Sequence, residues 1–62
     1  MKPTQYYKGY LLTTQQDDNG DYRVVIHAKG RPVDYTEYWS DEYTAVQDAK
    51  GRVEQWRRDG KK

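Results

Sequence analysis

Two glycine-centred turn signals, Asn19-Gly20 and Gly30-Arg31, bracket the most apolar run of the chain, Tyr22–Lys29 (YRVVIHAK). Asn and Gly both tolerate the positive φ that a tight hairpin demands, so a run enclosed this way reads as a central strand with a neighbour on each side. The stretch 5–14, QYYKGYLLTT, is aromatic, β-branched and apolar and supplies the first neighbour. Val33–Trp39, VDYTEYW, supplies the other.

The remainder carries a different period. Val46, Ala49, Val53 and Trp56 recur at steps of three and four, which predicts a helix over about 41–58 with one apolar stripe. Ser40 is placed as its N-cap, Asp41 and Glu42 suit the positive end of the dipole, and Arg57 and Arg58 the negative end. Gly51 costs about 1 kcal/mol relative to Ala inside a helix and is read as a point of close approach to the sheet. The expected fold is therefore α+β: a three-stranded antiparallel meander (5–14, 22–29, 33–39) against one C-terminal helix, with a basic tail at 59–62, in a single small domain.

If both turns are two-residue loops, Ile26 faces Thr13 and Tyr35, Ala28 faces Leu11, Val24 faces Glu37 and Tyr22 faces Trp39. The helix side then holds Leu11, Tyr22, Val24, Ile26, Ala28, Val33, Tyr35 and Trp39. The opposite face holds Lys8, Tyr10, Leu12, Arg23, Val25, His27, Lys29, Asp34, Thr36 and Tyr38. A slip of one residue inverts such an assignment, because side chains alternate across a strand.

Composition narrows the function classes. Sixty-two residues bury only about 60% of their unfolded surface. With no Phe and a mean hydropathy of −1.37, seven Tyr and two Trp must supply much of the core. The absence of cysteine excludes disulfides, thiolate metal sites and a cysteine nucleophile, and makes a reducing cytoplasm the expected compartment. No apolar run is long enough for a membrane span or a leader, so no membrane partner is expected. Net charge is +1, yet residues 50–62 carry +4 and the rest −3, so the chain is a charge dipole with a basic C-terminal end.

Three local patterns invite sharper chemistry. Lys29-Gly30-Arg31-Pro32 looks like a minor-groove hook, but Asp34 follows closely and strand signals press from both sides, so it reads as a turn. Asp17-Asp18-Asn19-Gly20-Asp21 looks like a calcium loop, but its glycine precedes Asp21 instead of following it and its twelfth position is Ala28 rather than Glu. His27 has no second imidazole for a metal, and Asp34 is expected opposite it as a polar cross-strand partner. A ribonuclease reading would make His27 a general base with Arg23 or Lys29 on phosphate, but a flat sheet offers no pocket for it. No catalytic residue, cofactor, metal site or small-molecule substrate is therefore expected.

Two binding readings are left. The first is a non-catalytic module that holds a protein partner, or a second copy of itself, through Tyr10, Leu12, Arg23, Val25, His27 and Tyr38. The second is nucleic-acid binding by the same face and the basic end, through Lys8, Arg23, Lys29, Arg31, Arg57 and Arg58.

The motif order Gly20-Asp21-Tyr22-Arg23-Val24, Ala28-Lys29-Gly30, Thr36-Glu37 and Ser40 through Val53 resembles small bacterial families of the YegP type, which usually carry this unit twice. That resemblance implies a β-β-β-α fold and little about function. The layout is also similar to the arm-binding domains of tyrosine recombinases, which set a three-stranded sheet against DNA. Carried over by position, that role falls on Arg23, His27, Lys29 and Arg31. The chain departs from those domains in its acidic first turn, and no following catalytic domain is expected.

Overall fold

The structure, a computed structural model, describes residues 4–59. Lys61 and Lys62 of the expected basic tail lie outside the described residues. An antiparallel sheet and one C-terminal helix are present, as the α+β reading requires, but the sheet has four strands rather than three. They are β1 (Thr4–Tyr7), β2 (Tyr10–Gln16), β3 (Tyr22–Ala28) and β4 (Arg31–Tyr35), in the spatial order of the chain. The helix α1 spans Glu42–Asp59.

The extra strand comes from a turn inside the expected first strand. Lys8 and Gly9 both have positive φ (51° and 91°), and Tyr7 pairs with Tyr10, so the chain reverses in two residues. That backbone matches the right-handed twist of the flanking strands. Gly9 takes the conformation without cost, whereas Lys8 does not.

The Lys29–Pro32 stretch is likewise a tight turn, running one residue earlier than expected. Lys29 and Gly30 have positive φ (54° and 81°), and Ala28 pairs with Arg31. Pro32 falls on the edge strand β4, where its missing N–H is tolerated. Ile26 then pairs with Asp34 while His27 pairs with Pro32, which leaves Val33 as the extra residue of a bulge. Beyond Tyr35 the ladder becomes irregular. Thr36 Oγ1 accepts the Val24 amide at 2.9 Å, and Tyr22 and Trp39 exchange two backbone hydrogen bonds (2.7 and 2.6 Å) in the expected pairing.

Between β2 and β3 the connection is longer than two residues. Gln16 pairs with Tyr22, leaving a five-residue loop from Asp17 to Asp21. The Asp17 carboxylate organises it. Its Oδ1 accepts the amides of Asn19 (3.0 Å) and Asp21 (2.8 Å), and the backbone closes from the Asp17 amide to the Asp21 carbonyl at 2.9 Å.

This loop shifts β2 by one residue against β3, so Leu12 faces Ile26 and Leu11 faces His27. Every β2 side chain consequently changes face from the two-residue expectation. Tyr10 and Leu12 lie beneath the helix in the core, not on the open face, and Leu11 leaves the core. On β4, Tyr35 pairs with Val25 and turns outward, while Asp34 pairs with Ile26 and turns toward the helix.

The core itself joins Tyr10, Leu12, Val24 and Ile26 of the sheet to Ala45, Val46, Ala49 and Val53 of the helix. Leu12, Val24, Ile26 and Val53 are its largest fully buried side chains, each contributing about 1.5–3 kcal/mol by burial. Trp56 completes the predicted stripe, its ring tilted against Tyr10 at 5.6 Å between centroids. Helix entry is capped by Asp41 rather than Ser40. The Asp41 carboxylate accepts the Thr44 amide at 2.8 Å and the Thr44 hydroxyl at 2.9 Å. Gly51 faces solvent, and a β-carbon there would meet nothing within 4 Å, so no close approach to the sheet explains it. The helix is not apolar enough to cross a membrane, nor is any other among the described residues.

Candidate binding face

The helix covers one side of the sheet and leaves the other open. The strand residues that share the open side follow from the register: Tyr6 beside Leu11, Leu11 beside His27, Thr13 beside Val25, Val25 beside Tyr35, and Gln15 beside Arg23. Two bases and no acid stand among these strand positions.

Arg23 anchors one end. Its Nε donates to Gln15 Oε1 at 3.0 Å across the β2–β3 pair. Its guanidinium carbon lies 4.6 Å from the Tyr35 ring centroid and 5.1 Å from that of Tyr38. Cation–π attraction and the Gln15 bond together fix the head group in place. Among the described residues no carboxylate lies within ion-pair distance of it. By contrast Arg52, on the helix, binds Asp48 at 3.0 Å and Asp34 at 3.7 Å.

At the centre Val25 is only 4% exposed, closed over by its neighbours, so it offers little apolar area. His27 Nε2 lies 3.2 Å from Thr13 Oγ1. Asp34, expected opposite His27, stands opposite Ile26 instead and pairs with Arg52. The exposed β3–β4 turn places Lys29 and Arg31 at the other end of β3. Tyr6 is 78% exposed on the β1 edge, and Tyr35 and Tyr38 are about half exposed.

Of the residues expected on this face, Arg23, Val25, His27 and Tyr38 are brought together there. Tyr10 and Leu12 are not, being core residues. Gln15 joins the face because β2 extends beyond the expected end at Thr14, and Tyr35 by a shift in register. The phosphate-contact candidates scatter more widely. Lys8 sits in the β1–β2 turn and is held by Glu54 at 2.8 Å, while Arg57 and Arg58 are exposed in the last helical turn.

That Lys8–Glu54 pair belongs to a separate cluster. Tyr7 donates its hydroxyl to Glu54 Oε2 at 2.5 Å, and the Lys8 and Lys50 ammonium groups lie 5.6 and 5.3 Å from the Tyr7 ring centroid. The Lys8 ammonium, and after it the Tyr7 hydroxyl, hold the Glu54 carboxyl below its ordinary range. Tyr7 and Lys8 are each pushed up, chiefly by their hydrogen bonds to Glu54. The cluster straps the first hairpin to the helix.

Comparison with protein-family models, curated proteins and solved structures finds no match for the chain.

Proposed function

We propose that the chain is a non-catalytic binding module whose open sheet face takes a single-stranded nucleic acid. The supporting observation is the charge of that face: Arg23 and His27 stand among exposed tyrosines without a carboxylate on the neighbouring strand positions. Aromatic rings accept bases of any identity by stacking, and cations along the same track meet the phosphates. Lys29, in the turn after β3, extends this track beyond His27, whereas Arg31 pairs with Ala28 on the helix-covered side.

The protein-partner reading rested on a cluster of Tyr10, Leu12, Val25 and Tyr38, of which Tyr38 is exposed on the open face. Tyr10 and Leu12 lie in the core and Val25 is closed over, which leaves Leu11, half-buried, as the aliphatic patch. Tyrosine and arginine are also common at protein interfaces, so a partner protein or a second copy is the competing occupant.

Fluorescence anisotropy with labelled oligothymidine and oligouridine, beside a duplex of equal length, tests the reading. Single strands bind at low salt, and with about three phosphates contacted the slope of log K on log salt is about −2. Tyr35→Ala weakens that binding. No binding to any strand at low salt overturns the reading, and self-association lost on Leu11→Lys would favour the second copy.

A further inference from the structure

We infer that Arg23 is the phosphate seat of the open face, a guanidinium pre-oriented to grip one phosphodiester of the bound strand. The inference deepens the single-strand reading and rests on it. Most surface arginines either wave in solvent or are neutralised by an acid, as Arg52 is by Asp48 and Asp34. Arg23 does neither. Gln15 accepts a hydrogen bond from its Nε, the Tyr35 and Tyr38 rings lie 4.6 and 5.1 Å from its guanidinium carbon, and among the described residues no acid within ion-pair reach neutralises its charge. The neutral orienters use the inner edge of the fork, so the two terminal nitrogens keep their protons for a ligand. A planar fork meets two phosphate oxygens at once, which an ammonium cannot do. Holding the fork still before binding removes part of the ordering cost that a free arginine would incur.

Gln15 is thereby a positioning residue, and it separates pre-orientation from mere charge. Glu37, exposed in the link after β4, lies between the two ring residues in sequence and forms no ion pair among the described residues.

The experiment measures oligothymidine affinity for the full chain and for Arg23→Lys, Gln15→Leu and Glu37→Gln, each first checked for its fold by circular dichroism. Arg23→Lys keeps the charge and loses the fork, and is expected to weaken binding about tenfold. Gln15→Leu changes no charge and weakens binding in the same direction. Glu37→Gln strengthens it. If the unaltered chain binds while Arg23→Lys and Gln15→Leu bind equally well, the phosphate seat is wrong and the single-strand reading stands. If the unaltered chain binds no strand, that reading fails and the seat falls with it.

Discussion

Leu12 stands opposite Ile26 across the two central strands, and both are buried beneath the helix. The neighbouring Leu11 points the other way, beside His27. This single register relation decides which surface is core and which is open, and it can be tested without a ligand. Leu12→Ala removes a buried side chain and should cost about 2–5 kcal/mol in urea denaturation. Leu11→Ala should cost well under half as much. The reverse order would place the strand one residue out of register.

Helix entry gives a second comparison of adjacent residues. Asp41 accepts the Thr44 amide, and no such bond comes from Ser40. Asp41→Ala should destabilise the chain by about 1 kcal/mol, the usual cost of a lost cap. Ser40→Ala should leave thermal unfolding nearly unchanged.

Gly51 offers a stabilising substitution. It lies mid-helix on the solvent side with open space around its absent β-carbon. Gly51→Ala should therefore raise stability by about 0.5–1 kcal/mol, seen as a melting temperature several degrees higher. A loss of stability would show that the glycine meets something its surroundings do not reveal.

Acid should weaken the strap between hairpin and helix. In the folded chain Glu54 is held below its ordinary range by Lys8 and Tyr7, so the folded state binds its proton less tightly than the unfolded one. The stabilisation is present above the unfolded carboxylate value of about 4.3 and is lost as pH falls through the lower folded value. Urea titrations of the chain and of Glu54→Gln should show a gap near pH 6 that closes toward pH 3. The exposure of the cluster keeps the gap small. A gap that widens on acidification would contradict the assignment.

Elements set by side-chain pattern were legible in the sequence, and those set by turn length were not. Tyr22–Ala28 and the helical stripe through Val53 declare themselves by apolar content and period, whichever neighbours they acquire. The pairing of Tyr22 with Trp39 also followed. The Lys8-Gly9 turn stayed hidden because lysine rarely adopts positive φ and the surrounding Tyr, Leu and Thr residues read as unbroken strand. The face of β2 turned on the length of the loop between β2 and β3. Asn19-Gly20 alone suits a two-residue turn, but the Asp17 side chain captures two amides and stabilises the five-residue form. For the candidate site, Arg23, Val25 and His27 were read from central-strand alternation, and Tyr38 from alternation along an expected third strand that in fact ends at Tyr35. Gln15 was missed because β2 runs two residues past the expected end at Thr14, and Tyr35 because its strand shifted register through the Val33 bulge.

The most direct test of the open face is an amide NMR titration of the isotope-labelled chain with oligothymidine at low salt. Shifts concentrated on Leu11, Thr13, Gln15, Arg23, His27, Tyr35 and the Lys29–Arg31 turn, and reversed by added salt, are the predicted result. No shifts, or shifts confined to Glu42–Asp59, would contradict the account.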